Sequence, residues 1–172
     1  MKSEESVNGI YKVPPGTVIG HVHLKVSDLE RSLDFYCGLL GFELMTRYGK
    51  DAAFVSAGGY HHHIGLNVWY SRNGSAAPVN ATGLFHLAIL YPSRKDLAAI
   101  FIRLRNAGYP LSGASDHGVS EAIYLNDPYE NGLELYCDRP REQWHYNTDG
   151  SVYMFTSALY IADLLKELED KI

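Results

Sequence analysis

The chain has 172 residues, 46% hydrophobic and 20% charged, with 15 Lys and Arg against 20 Asp and Glu and a net charge of −5. That length can bury a real core in one domain or two small ones, and an acidic balance without a basic cluster speaks against a nucleic-acid partner. With a mean hydropathy of −0.17, no apolar run approaches the ~20 residues of a membrane-spanning helix.

Residues 1–17 are polar and end in Val13-Pro14-Pro15-Gly16, so they read as an arm outside the core. They carry no charged-then-apolar leader pattern, and Cys37 and Cys137 make no disulfide scaffold. The expectation is a cytoplasmic protein with buried, reduced thiols. Ile19–Val26 alternates as a strand does. Ser27 or Asp28 can cap a helix bearing Leu29, Leu33, Tyr36 and Leu40, which Gly41 ends. Strands are expected near 42–48, 52–57 and 62–69, followed by a linker-like stretch, Ser71–Asn80. Then the order returns: a strand over Leu84–Tyr91, a helix over Arg94–Ala107 with Leu97, Ile100, Phe101 and Leu104 on one face, and a stop at Gly108. Further strands are expected near 109–114, 119–126 and 132–137. Beyond them, Arg139–Trp144 is irregular. Thr156 or Ser157 can cap a last helix with the stripe Ile161, Leu164, Leu165 and Leu168, packed on the body or on a second subunit.

The two halves are copies of one unit. His21 and His86 open equivalent strands 65 positions apart, Gly41 and Gly108 stop equivalent helices 67 apart, and Ile64–Asn67 corresponds to Leu133–Tyr136 at an offset of 69. The expected fold is α+β: paired βαβββ modules at 18–70 and 83–138 within one domain (18–138), preceded by the arm and followed by an extension (139–172). One module leaves a sheet uncovered; two can curl into one cupped, barrel-like mixed sheet with helices outside.

The chain has eight histidines, three of them consecutive at 61–63. The repeat sets His21 and His86 at equivalent places. Glu134 stands in the apolar run Leu133-Glu134-Leu135, where a carboxylate is costly unless paired or bound to metal. Two imidazoles and a carboxylate with open positions left over are the ligand type of non-haem Fe(II) oxygenases. The position equivalent to Glu134 in the first half is Gly65, which cannot ligate. A three-ligand site, His21, His86 and Glu134, with an empty quadrant for substrate and dioxygen is therefore predicted. His23, on the same face as His21, competes with it.

The stretch from His21-Val22-His23-Leu24-Lys25-Val26 through Ser32-Leu33-Asp34-Phe35-Tyr36 to Gly38-Leu39-Leu40-Gly41-Phe42 resembles the opening module of the vicinal oxygen chelate superfamily, over about residues 17–142. That superfamily holds glyoxalases, bleomycin-resistance proteins and extradiol ring-cleavage dioxygenases. The spacing of His21 and His86 to the ends of their strands, and Tyr124 followed by Asp127-Pro128 and then Glu134, are similar to the catechol 2,3-dioxygenase-like branch. The resemblance implies an Fe(II) enzyme, with Mn(II) an alternative metal, that opens a catechol-like diol with dioxygen as a homodimer. It also implies Tyr124 at the substrate oxygen, His62 as acid-base with His63 the competing register, and His117 as a further active-site histidine. A glyoxalase- or epimerase-type lyase or isomerase using Zn, Ni or Co is the second reading, and a metal-free antibiotic-binding protein the third. Gly65, where a glyoxalase has a ligand, speaks against the second.

Overall fold

The computed structural model describes residues 11–169, so the first ten residues of the expected arm lie outside the described residues. The chain runs β1 (Val22–Lys25), α1 (Leu29–Leu33), β2 (Glu43–Tyr48), β3 (Ala52–Ser56) and β4 (Ile64–Asn67). It then repeats the order as β5 (His86–Leu90), α2 (Arg94–Asn106), β6 (Gly113–Asp116), β7 (Ser120–Asn126) and β8 (Gly132–Asp138). Of the two candidate caps on α1, Asp28 does the work, its carboxylate accepting from the Arg31 N–H at 3.1 Å; Ser93 caps α2 through the Asp96 N–H at 3.1 Å. After five residues α1 widens into a π-helical turn, Asp34–Leu39, in which the Leu40 N–H reaches back to the Phe35 carbonyl at 2.9 Å. Gly41 and Gly108 end the two helices at φ of +88° and +65°, a conformation glycine adopts without a Cβ penalty.

The modules form a four-stranded sheet, β1-β4-β3-β2, and a five-stranded sheet that begins β5-β8-β7-β6. The two do not close into the single cup expected. The repeat reaches the register of the ladders. β1 runs parallel to β4 with His23 opposite Gly65, and β5 runs parallel to β8 with Ala88 opposite Glu134. His21 therefore stands to Gly65 as His86 stands to Glu134.

One face of each sheet feeds a shared apolar core that includes Leu24, Leu66, Leu97, Leu104, Leu133 and Leu135. Polar contacts lock the modules together around it. The Tyr36 hydroxyl donates to buried Asp127 at 3.1 Å, the Tyr129 hydroxyl donates to the Asp28 carbonyl at 3.1 Å, and Arg103 Nε donates to the Leu39 carbonyl at 2.6 Å. This packing leaves β1 and β5 as sheet edges. Beside them Ile19 is 94% and Phe85 91% exposed. Tyr36→Phe removes a hydrogen bond to a buried carboxylate, so urea unfolding should show a loss of roughly 1.5–3 kcal/mol with an unchanged slope.

Three expectations shift. The strand after Gly108 starts only at Gly113, because Pro110 offers no ladder N–H and the Tyr109 hydroxyl is tied to the Asn126 carbonyl at 2.8 Å. His61–His63 precede β4 rather than lie in it. In the extension, Ser157 is no helix cap: Ser157–Ala158 form a short strand, β9, on β6, with Ser157 opposite Asp116. The last helix, α3 (Ile161–Leu165), starts after Tyr160 without a side-chain cap and buries Leu164. Arg94 holds it, donating to Asp163 at 3.1 Å and Glu167 at 3.0 Å. Among the described residues no helix is long and apolar enough to cross a membrane.

Candidate active site

Strand alternation explains the chemistry of the second sheet. Along β8, Leu133, Leu135 and Cys137 enter the core, so Glu134 and Tyr136 must face the other way. The Glu134 side chain is only 13% exposed, and Oε2 lies 3.0 Å from His86 Nε2. The Tyr124 hydroxyl is 3.1 Å from the other carboxylate oxygen and 2.6 Å from His117 Nε2. Burial first, then the Glu134 charge, pushes the Tyr124 phenol up to about 12, so it stays protonated near neutral pH. Four predicted residues, His86, Glu134, Tyr124 and His117, thus form one connected row across β5, β8, β7 and the turn before β7. Cys137, on the core face, has its thiol pushed up to about 11, chiefly by burial; it takes no part.

The first sheet carries the rest. The His21 ring lies 4.4 Å from that of His62, which also meets Phe54 edge-on at 5.0 Å and whose Nδ1 is 2.7 Å from His61 Nδ1. Partial burial and the imidazoles of His21, His61, His23 and His63 lower the pKa of His62, favouring its neutral form. His63 turns elsewhere. Its Nδ1 accepts from the Ala57 N–H at 3.3 Å and contacts the Ser56 hydroxyl at 2.9 Å, which ties it to the end of β3. The triple histidine thus splits into one ring against His21 and one anchored to the backbone.

Position 65 does not leave the open quadrant expected. The His23 ring lies across it, so a Cβ built on Gly65 would stand 2.8 Å from His23 Cδ2. Glycine lets that ring lie flat on the sheet, between Phe54 at 5.7 Å and Trp69 at 5.5 Å. A longer residue there must displace His23 before it can reach anything.

The two groups are not brought together within the chain. Among the described residues no three His, Cys, Asp or Glu side chains converge as metal ligands. His86 and Glu134 fit a divalent metal as two converging donors of the right chemistry; His21, their symmetric counterpart, stays on the other sheet. Surface clefts of about 480 Å³ beside Tyr91 and Arg103, and about 400 Å³ beside Arg31 and Pro128, include none of these residues. One participant escaped sequence reasoning: His117 Nδ1 lies 3.0 Å from the main-chain oxygen of Phe155, in the extension. A backbone carbonyl carries no side-chain signature by which it could have been found.

Residues 18–135 match the Glyoxalase/Bleomycin resistance protein/Dioxygenase superfamily. The chain belongs to this superfamily. It is 39% identical over 156 residues to a catechol-2,3-dioxygenase of Bacillus subtilis (strain 168), covering 90% of this chain and 53% of that protein. The chain therefore spans about half the length of that relative. It is 27% identical over 135 residues to biphenyl-2,3-diol 1,2-dioxygenase 3 of Rhodococcus globerulus, covering 74% of this chain and 68% of that protein. Among solved structures, a glyoxalase/dioxygenase from Nostoc punctiforme matches with a TM-score of 0.62 at 18% identity, over 78% of this chain and 100% of that one. A glyoxalase/bleomycin resistance protein/dioxygenase domain from Frankia sp. EAN1pec matches with a TM-score of 0.60 at 24% identity, over 72% and 98%. These structures, both under 25% identical, speak for the fold alone.

Proposed function

We propose that the chain is an Fe(II)-dependent extradiol dioxygenase that opens the ring of a catechol-like aromatic diol. The observation that carries this reading is the His86–Glu134 pair at 3.0 Å, with the Tyr124 hydroxyl on the second carboxylate oxygen, in a chain 39% identical to a catechol-2,3-dioxygenase. His21, His86 and Glu134 would hold the iron, or Mn(II). When bound, the metal would supply Lewis acidity and a common coordination sphere for diol and dioxygen. The protein's own tasks are simpler. Glu134 and His86, on neighbouring paired strands, present their donors without rearrangement. Tyr124, kept protonated, presents a phenol oxygen that can accept a hydrogen bond from a hydroxyl of the diol while its own proton faces His117. His62, favoured as neutral imidazole, can take a proton from the diol and return it later, beside Phe54 and the His21 ring.

The set is completed by a second copy of the chain. The modules are locked together through Tyr36, Tyr129 and Arg103, so His21 cannot swing to Glu134 without breaking a shared core. Among the described residues β1 and β5 are two of the four sheet edges, with exposed Ile19 and Phe85 beside them. A two-fold axis that sets β1 of one copy beside β5 of the other joins His21 to His86 and Glu134 twice, once on each side. The homodimer would sit in the cytoplasm, where Cys37 and Cys137 stay reduced.

Metal analysis with an oxygen electrode on catechol tests the reading. Bound iron with catechol-dependent oxygen uptake is expected. Bound metal without oxygen uptake on any catechol would instead favour a glyoxalase- or epimerase-type lyase or isomerase. Protein that binds no metal would favour a binding protein.

A further inference from the structure

His117 stands in the turn between β6 and β7, and the two sides of its ring constrain one another. Nδ1 lies 3.0 Å from the Phe155 carbonyl oxygen. A carbonyl only accepts, so Nδ1 carries the hydrogen; the Thr156 hydroxyl, farther off at 3.3 Å, can accept as well as donate and fits that arrangement, and in the neutral ring Nε2 is then an acceptor. What lies 2.6 Å from Nε2 is the Tyr124 hydroxyl. That hydroxyl has a single proton and two acceptors in reach: His117 Nε2 at 2.6 Å and Glu134 Oε1 at 3.1 Å. With the imidazole in this tautomer the nearer acceptor takes the proton, and Glu134 keeps both oxygens free of it. In the opposite tautomer Nε2–H would donate to the phenol oxygen, and the phenol would donate to Glu134, drawing charge from that carboxylate.

Phe155 belongs to neither module. It lies in the extension, which is clamped to the second module at several points. β9 pairs with β6, Leu164 is fully buried, and Arg94 grips Asp163 and Glu167. Arg139 donates to Asp116 at 2.9 Å and to Glu121 at 2.7 Å, while the other Asp116 oxygen accepts from the Gly118 N–H at 2.8 Å. The Phe155 ring lies directly on the turn: a Cβ at Gly118 would stand 2.5 Å from Phe155 Cε1. A side chain at 118, where φ is +77°, would therefore push the segment off His117.

We propose that the C-terminal extension is a positioning element of the site: its Phe155 carbonyl selects the Nδ1–H tautomer of His117 and so turns the Tyr124 proton away from Glu134. This rests on the reading of Tyr124 and Glu134 as site residues, but its first test does not need activity. In the metal-free, full-length protein, long-range ¹H–¹⁵N correlation of the histidine rings, with His117→Gln for assignment, should show His117 protonated on Nδ1 and bare on Nε2. Gly118→Ala and Gly118→Val, whose side chains would drive into the Phe155 ring, checked for a native fold by circular dichroism, should move it to the Nε2–H form or a mixture. An Nε2–H ring in the unaltered protein overturns the proposal. So does a pure Nδ1–H ring in folded Gly118→Ala and Gly118→Val proteins. In active enzyme the same variants should lose roughly 10–100-fold in turnover at unchanged iron content, the usual cost of disturbing an outer partner of a metal ligand. In a Tyr124→Phe background they should cost nothing further, whereas a general loss of packing would lower turnover in both backgrounds and overturn the positioning role. If the protein cleaves no catechol at all, the ring spectra still decide the tautomer and the function falls separately.

Discussion

His21→Ala protein and Glu134→Ala protein should each bind no iron, yet the two co-expressed should regain about a quarter of the wild-type sites. Each single variant removes one ligand from both sites of its homodimer. In the proposed mixed dimer the intact His21 of one copy would meet the intact Glu134 of the other, so one site would survive and its twin would lose two ligands. Random pairing makes half of the dimers mixed, each with one site of two, which gives about a quarter overall. Different affinity tags isolate the mixed dimer, in which half of the sites should hold metal. Mn(II) serves as the probe, because it binds without needing dioxygen chemistry. A purified mixed dimer without metal would sink the shared site and leave the ligand assignment standing. Full metal in the Glu134→Ala protein alone would sink the assignment itself.

His62→Gln should keep its iron and lose roughly 10²–10⁴-fold in turnover, the usual contribution of a placed acid-base group. The ring rests against His21 at 4.4 Å and Phe54 at 5.0 Å and is no candidate ligand in the repeat. His63→Gln is the informative contrast. That ring accepts from the Ala57 N–H and contacts the Ser56 hydroxyl, so its loss should lower stability by about 1 kcal/mol and change turnover little. Iron content and turnover measured on the same preparations separate the cases. Full iron with poor turnover in the His63→Gln protein, and not in the His62→Gln protein, would move the proton-transfer role by one residue.

Much was legible in the residues themselves because it rests on local rules. Alternation in Leu133-Glu134-Leu135 sets the carboxylate on the face opposite the core whatever the rest of the chain does. Asp28, Gly41 and Gly108 bound the helices by capping and by left-handed backbone, and the repeat offsets anticipated the matching registers of β1 with β4 and β5 with β8. What sequence could not decide was long-range. Whether two modules close into one cup or pack around one core depends on contacts such as Tyr36 to Asp127, 91 positions apart. The His23 ring across Gly65, and the division of labour within His61–His63, follow from side-chain directions in a strand and a loop that one-residue shifts would reverse. The hold of Phe155 on His117 uses a main-chain carbonyl, a group every residue possesses. Only the tertiary structure could decide which of them reaches the ring, because it alone settles where the chain's end is laid down.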